Sequence, residues 1–147
     1  MLVKKTVLSS PLMSKIRQKS DFNIDAAKLL IRETYYASSV HCSYYSCFQL
    51  MKYTIKEFFG IDYEAQSINI SSSGQRTHQY VINYVTTELK RFVGAEECKI
   101  FKRTIKDLKQ FRLESDYENI EVSHDYGQNA LDKAIAIRLY LITNFNV

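Results

Sequence analysis

The sequence has no tryptophan, one proline and four glycines among its 147 residues. So few helix breakers exclude a fold of many short strands and tight turns, and they favour long helices. A chain of this length forms one domain, which can bury a core without a disulfide or a metal ion. The three cysteines, Cys42, Cys47 and Cys98, fit neither a zinc pattern nor a disulfide framework. We therefore expect free, mostly buried thiols and a reducing, cytoplasmic location.

Long apolar runs are also missing, and no stretch approaches the roughly 18 apolar residues of a membrane span. The first ten residues carry two lysines but no extended apolar run and no small-residue cleavage site, so we predict no secretory signal. The net charge of +4 permits contact with phosphate groups without requiring it. The composition thus predicts no membrane partner and leaves nucleic acid open as one.

Apolar residues recur at spacings of 3 and 4 along most of the chain, which is typical of amphipathic helices. Five helices are predicted, starting near Asn23 or Asp25, near residue 38, near residue 77, near residue 96 and near residue 123. They indicate an all-α fold, an antiparallel up-and-down bundle of about five helices. Residues 1–20 are expected to form a lead-in arm, since Ser9, Ser10 and Pro11 interrupt an early helix, and residues 21–147 form the bundle.

Two polar stretches interrupt the apolar pattern. Residues 61–76 are predicted as the main loop, because three serines and Gly74 supply turn chemistry near its end. On the second predicted helix, Ser39, Ser43 and Ser46 lie away from the apolar stripe. This serine face either lets another helix approach closely or is simply solvated.

The fourth predicted helix carries a charged residue in its apolar stripe, where Arg112 follows Leu108 by four residues. A guanidinium there must reach solvent, pair with an anion or face a partner. Asp116 lies four residues further on, but arginine before aspartate is the poorer order for a helical ion pair. Two interpretations stay open: Arg112 and Asp116 pin the helix end, or Arg112, Asp116 and Tyr117 contact a ligand.

The histidines offer further candidates for binding. His78 opens the third predicted helix beside Arg76, where an anion can bind at a helix N-terminus, although capping or exposure to solvent would also place it there. His124 lies at the start of the last helix, and a chain that folds back there would bring it close to Arg112 as an arginine–histidine pair. His41 is interpreted as an interhelical or surface hydrogen-bonding residue. The histidines and carboxylates show no metal-ligand spacing, so neither a metal ion nor another cofactor is predicted.

Basic residues form a second pattern on the fourth predicted helix, where spacings of 3 and 4 place Lys99, Lys102, Lys106 and Lys109 in one stripe. Such a stripe is usually a solvated face. The alternative is contact with RNA or with an acidic partner.

Two of these segments carry a resemblance to a known family. The run Arg112-Leu113-Glu114-Ser115-Asp116-Tyr117 resembles the Arg-x-x-Ala-Asp-Tyr motif of HEPN domains, with Ser115 in place of alanine. The run from Tyr44 to Gln49 resembles the Tyr-Tyr-containing second helix of the same family, and the order of helices agrees over about residues 21–145. The resemblance implies a helical bundle that often dimerises. Many members are ribonucleases with a site in the dimer cleft, and others act beside small nucleotidyltransferases, sometimes as toxin and antitoxin.

The ribonuclease members carry a histidine after their arginine, with four to six residues between the two. The arginine stabilises the negative charge of the phosphate, and the histidine transfers protons near neutral pH. Here eleven residues separate Arg112 from His124, and one residue separates Arg76 from His78. This sequence therefore departs from the ribonuclease motif.

Asp116 or Tyr117 stands where that histidine would be needed, and a carboxylate beside an arginine is a weak base. No residue is therefore assigned a catalytic role. We predict a non-catalytic, homodimeric binding module that offers Arg112, Asp116 and Tyr117 to a nucleotide, an RNA or a nucleotidyltransferase partner. The alternative is a metal-independent ribonuclease of the toxin type with a displaced catalytic base.

Overall fold

The computed structural model describes the backbone of residues 2–147 and the side chains of residues 15–147. Within this range the chain forms six helices and no strand: α1 (Leu2–Arg32), α2 (Tyr36–Glu57), α3 (Tyr63–Ser73), α4 (Thr77–Leu89), α5 (Ala95–Tyr117) and α6 (His124–Phe145). The prediction of an all-α helical bundle is confirmed. None of the helices in the described range is long and apolar enough to cross a membrane.

The second helix lies at the centre of the bundle, where α2 packs against α1, α4, α5 and α6. Its apolar stripe is almost fully buried, including Val40, Tyr44, Cys47, Met51 and Ile55. Burial of each large apolar side chain stabilises the fold by about 1.5–3 kcal/mol, so this stripe is the main organiser of the core. All three cysteines are free thiols and two of them are buried, as predicted.

The serine face of α2 is the contact surface for α1. The Ser39 hydroxyl donates to the carbonyl oxygen of Ala27 at 3.0 Å, and the Ser20 hydroxyl donates to that of Ser46 at 2.5 Å. Ser39, Ser43 and Ser46 are fully buried. The small side chains let the two helices approach closely, and the interpretation as a solvated face is wrong.

The start of the first helix was placed too late by the sequence pattern, because α1 begins at Leu2 and not near residues 23–25. Within the part of this segment whose side chains are described, Arg17 forms an ion pair with Asp21, four residues further along the helix. The boundary predicted between the arm and the bundle therefore falls inside a helix. The prediction of that boundary rested on Ser9, Ser10 and Pro11, whose side chains lie outside the described part of the structure.

The predicted loop at residues 61–76 is also wrong in its main part, because it contains α3. The Asp62 carboxylate caps this helix by accepting from the backbone N–H of Ala65 at 2.8 Å. Gly74 closes it with a φ of 71°, the left-handed conformation that glycine adopts without strain. The buried Gln66 fixes α3 to the bundle by donating to the carbonyl oxygen of Lys52 at 3.2 Å.

The remaining boundaries agree closely with the expectation. Ser123 caps α6 by accepting from the backbone N–H of Tyr126, and α4 and α5 begin at Thr77 and Ala95. The pattern placed the end of α4 at Gly94. The helix ends earlier, at Leu89, and Gly94 is the residue before α5.

Candidate functional site

The site centres on Arg112, the charged residue in the buried stripe of α5. Its side chain is only 6% exposed, in line with the buried Phe101, Ile105 and Leu108. The nitrogen Nε is buried and has no hydrogen-bond partner among the described residues. The nearest carboxylate, that of Asp116, lies 3.9 Å from Nη1. A buried guanidinium is thus left with weak neutralisation, which is unfavourable unless an anion joins it.

The other buried arginine of the described residues is paired more closely than Arg112, with a carboxylate that it shares with Arg17. Arg138 on α6 is 8% exposed. It donates from Nη2 to the Asp21 carboxylate at 2.6 Å and from Nη1 to the Ser20 hydroxyl. Arg138 therefore ties α6 to α1, whereas Arg112 has spare donors.

The carboxylate of Asp116 is shared between two groups. The Nδ1–H of His41 on α2 donates to Oδ2 of Asp116 at 2.8 Å, a much closer contact than that with Arg112. This confirms the interhelical hydrogen bond expected for His41. Because the Asp116 carboxylate lies against His41 and not against the guanidinium, it compensates the charge of Arg112 only in part.

Three tyrosine rings surround the guanidinium. Its carbon Cζ lies 5.0 Å from the ring centroid of Tyr44, 5.5 Å from that of Tyr45 and 5.9 Å from that of Tyr117. Cation–π contacts of this kind hold a guanidinium in place without using its N–H groups. Tyr44 is fully buried, but Tyr117 is 74% exposed, so the ring of tyrosines opens to solvent on the side of Tyr117.

His78, at the start of α4, completes this cluster from the other side. Its ring stacks on Phe48 with centroids 4.2 Å apart, and Nδ1 lies 2.7 Å from the hydroxyl of Tyr44. Burial lowers the pKa of His78 to about 4, and the nearby charges of Arg112, Lys109 and Lys52 act in the same direction. His78 is therefore neutral at physiological pH.

The hydrogen bond between Tyr44 and His78 has a defined direction. Burial raises the pKa of Tyr44, so its hydroxyl stays protonated and donates to Nδ1 of His78. The proton of the neutral imidazole is then on Nε2. His78 thus offers an N–H donor beside Arg112.

Further cationic side chains influence Arg112 and His78. Burial lowers the pKa of Lys109, and the charges of Arg112 and Arg76 lower it further. The charge of Lys52 on α2 contributes to the lowered pKa of His78. Among the described residues, Arg76, Lys52 and Lys109 form no ion pair. The site is therefore strongly positive.

Beside this positive site lies a polar concavity of about 300 Å³, between the start of α2 and the end of α5. Its lining includes His41, Asp116, Cys42 and Ser115. The Ser115 hydroxyl is buried and has no partner in the described part of the chain. Burial and the Asp116 charge raise the pKa of Cys42, which keeps it a thiol. The concavity offers hydrogen-bonding groups but no reactive thiolate.

The structure brings together most of the residues that the sequence singled out: Arg112, Asp116, Tyr117, His78 and Arg76. It does not add His124, which pairs with Asp125 at 3.3 Å and packs edge-on against Tyr36. No hydrogen bond joins His124 to Arg112 in the described range.

Sequence reasoning missed Tyr44, Phe48, His41, Lys52 and Lys109 as members of the site. For His78 a signal was available, since it precedes Ile82 and Val85 on the buried side of α4. Its inward position follows from this spacing. The other contacts join separate helices, and no local pattern predicts them.

No group of three metal-ligating side chains is found among the described residues. No protein-family model matches this chain, and no curated protein matches it as a relative. The geometry around Arg112 is therefore the basis for a functional proposal.

Proposed function

We propose that this chain is a HEPN-like, non-catalytic binding module whose Arg112 receives the phosphate group of a nucleotide or an RNA. The observation that carries the proposal is the buried guanidinium with an unpartnered Nε and a carboxylate no closer than 3.9 Å. A phosphate that arrives from solvent meets the Nη nitrogens, because Nε is shielded from solvent, and such a charge-assisted contact is stronger than a neutral hydrogen bond.

The surroundings of Arg112 support a phosphate as the ligand. His78 presents an N–H donor, and Lys109 and Lys52 add positive charge that no neighbouring carboxylate balances. Tyr117 offers an exposed ring against which a nucleobase stacks. The combination fits a nucleotide better than it fits a small inorganic anion.

The HEPN resemblance extends the proposal to assembly. It implies the up-and-down bundle and a homodimer. It also implies a small nucleotidyltransferase as protein partner, and the nucleotide of that enzyme would be the ligand at Arg112. An exposed apolar patch between α5 and α6 supports a homodimer, because two adjoining depressions there share Ala136 and Tyr140. Ile100 and Leu139 stand at their edges, and Leu139 is 63% exposed. Contiguous apolar patches on a protein surface commonly mark interfaces.

A specific observation favours the second candidate, a metal-independent ribonuclease. His41 is oriented by Asp116 at 2.8 Å, and Asp116 in turn faces Arg112. A histidine held by a carboxylate is the usual form of a general base. His41 would then be the displaced base, in a position that the arginine–histidine spacing in sequence does not reveal.

Binding without cleavage is the better supported of the two functions. Attack by a 2′-hydroxyl needs a base and an acid on opposite sides of the phosphate, each with a pKa near the working pH. With a pKa of about 4, His78 is a poor base, and its neutral ring is a poor acid. The described site therefore offers one histidine oriented by a carboxylate, His41, where the reaction needs both a base and an acid.

The proposal is tested by calorimetric titration of a nucleoside monophosphate into the wild type, Arg112→Gln and Arg138→Gln. Loss of a charge-assisted contact should weaken binding about tenfold to a hundredfold in Arg112→Gln. Arg138→Gln removes the other buried arginine. The folded molecules of this variant should bind the nucleotide as the wild type does. Equal binding by the wild type and Arg112→Gln, or no binding by the wild type, would overturn the proposal.

A further inference from the structure

The third helix is attached to the bundle by very few side chains. Gln66 is the only buried residue of α3, and no apolar side chain of this helix packs against the core within the described residues. Ile68 is 60% exposed. In the same range, one hydrogen bond links α3 to another helix, and it runs from Gln66 to the carbonyl oxygen of Lys52 on α2. A helix with so little burial opens more easily than the core does.

The face of α3 that meets α2 contains two polar atoms without partners. The hydroxyl of Tyr63 and Oε1 of Gln66 are buried and have no hydrogen-bond partner among the described residues. The two residues are three positions apart, so they lie on the same face of the helix. Both atoms would bond to water once α3 leaves α2, because they would then be exposed to solvent, and this gain favours undocking.

Glycines stand at both ends of the segment that contains α3. Gly60 has a φ of 72° and Gly74 a φ of 71°. Glycine adopts this left-handed conformation and the ordinary right-handed one with similar ease, so the backbone can rotate at both positions. Residues that absorb such rotations at the ends of an element act as hinges. The segment therefore has a pivot before α3 and a second one after it.

Lys52 lies between α3 and the candidate functional site. Its Nζ is 5.5 Å from the ring centroid of Tyr63, a cation–π contact with α3. On α2, Lys52 follows Phe48 by one helical turn, and the ring of His78 stacks on Phe48 with centroids 4.2 Å apart. The charge of Lys52 lowers the pKa of His78, which agrees with this position. The ammonium group of Lys52 thus has α3 on one side and the site on the other.

We propose that α3 is a hinged flap that undocks from α2 while the other helices stay folded, and that undocking frees the Lys52 ammonium group from Tyr63 to contact an anion bound at Arg112. A docked α3 and a bound phosphate then compete for one cation. By linkage, a ligand that gains this contact only in the undocked state must favour undocking. The competition for Lys52 rests on the proposed function, whereas the undocking of α3 does not.

The test is hydrogen–deuterium exchange of the full chain, read by mass spectrometry with and without a saturating nucleoside monophosphate. An isolated helix of 11 residues is marginal in water, so undocking exposes the amides of α3 to exchange. Gln66→Ala removes the hydrogen bond to Lys52. Its matched control, Ser67→Ala, places an alanine at the neighbouring exposed position. Lys52→Gln removes the cation for which the ligand and α3 compete.

Without ligand, the amides of α3 should exchange at least roughly tenfold faster than those of α2 and α6, through a local opening. This opening should depend little on low concentrations of urea, because it exposes little surface. Gln66→Ala should accelerate exchange in α3 about tenfold through loss of its hydrogen bonds, and leave α2 unchanged. Ser67→Ala should exchange as the wild type does.

With ligand, exchange in α3 should become about tenfold faster in the wild type, as expected for one added charge-assisted contact in the undocked state. Exchange in the core should become slower at the same time, because the ligand stabilises the folded protein. In Lys52→Gln the ligand should not accelerate exchange in α3. Opposite changes in α3 and in the core separate the flap from a general change of stability.

Exchange in α3 that is as slow as in α2 without ligand would overturn the flap. Exchange in α3 that the ligand slows or leaves unchanged would overturn the competition for Lys52. In both cases, calorimetric binding that depends on Arg112 would leave the proposed function intact. Failure of the wild type to bind the nucleotide would refute the proposed function together with the competition, and exchange without ligand would still decide whether α3 undocks.

Discussion

The hydroxyl of Tyr44 lies 2.7 Å from Nδ1 of His78, and the ring of the same tyrosine lies 5.0 Å from Cζ of Arg112. This contact joins α2 to α4 at the point where α5 presents its buried charge. Because the tyrosine stays protonated and the histidine stays neutral, the layer under Arg112 adds hydrogen-bond donors and no negative charge. The contacts of Tyr44 and His78 therefore do not neutralise the charge of Arg112.

Removal of the Tyr44 hydroxyl should destabilise the fold. Tyr44→Phe keeps the ring against Arg112 but leaves Nδ1 of His78 without its donor, so the free energy of unfolding should fall by about 0.5–1.5 kcal/mol. Urea denaturation measures the change. Tyr45→Phe is the control, because the Tyr45 hydroxyl takes no part in this bond, and it should change stability by less than about 0.5 kcal/mol. Equal effects of the two variants would contradict the assigned hydrogen bond.

The stability of the protein should fall in mild acid because of His78. Its pKa is lowered from 6.5 to about 4 in the folded state. Below pH 6.5 the histidine is protonated in the unfolded chain but stays neutral in the folded chain. The free energy of unfolding therefore falls as the pH falls toward 4. Above pH 6.5 this group has no effect on stability.

The measurement is urea denaturation across this pH range for the wild type and His78→Asn. Asparagine keeps an acceptor near the position of Nδ1 but does not titrate, so the variant should lose less stability on acidification. His124→Asn removes a histidine outside the cluster and serves as the control. A steeper loss in His78→Asn than in the wild type would refute the direction of the shift.

Much of the fold follows from periodicity in the sequence. The apolar stripe of the fourth predicted helix places Arg112 among core positions and leaves its burial open, and the structure shows it 6% exposed. The α3 helix was missed because Ser71, Ser72 and Ser73 look like turn chemistry when read alone. The cap at Asp62 and the glycine at position 74 mark its ends, but a helix of this length needs tertiary contacts, such as the hydrogen bond that Gln66 donates to the carbonyl oxygen of Lys52.

The candidate site was predicted only as separate parts. Arg112, Asp116 and Tyr117 lie within two turns of one helix, so the sequence places them together. His78 and His41 reach the same arginine from α4 and α2, through Tyr44 and Asp116. Such juxtapositions depend on how helices pack, and a single sequence without its fold does not contain that information.

The two buried arginines should respond differently to replacement by methionine. Arg138→Met breaks a neutralised contact with Asp21 and Ser20 and should lower the free energy of unfolding by about 1–3 kcal/mol. Arg112→Met removes a poorly neutralised charge and replaces it with apolar volume, which is commonly neutral or stabilising. Thermal and urea denaturation of both variants provide the test. A larger loss in Arg112→Met would show that Arg112 is a structural pin of the helix end.

The apolar patch on α5 and α6 should control association. Leu139→Glu places a charge at its edge and should convert the proposed homodimer to a monomer in analytical ultracentrifugation. Ile68→Glu, an equally exposed apolar residue on α3, is the matched control and should leave the dimer intact. A wild type that sediments as a monomer, or a dimer unaffected by Leu139→Glu, would refute this interface.

The most direct test of the central claim follows one labelled RNA single strand through both binding and cleavage. The strand is incubated with the wild type, Arg112→Gln and His41→Asn without added metal, and anisotropy is read before the products are separated on a gel. The account predicts that the wild type and His41→Asn bind the strand and leave it intact, while Arg112→Gln binds it weakly. Cleavage by the wild type that disappears in both variants would contradict the account and identify His41 and Arg112 as the catalytic pair of a ribonuclease.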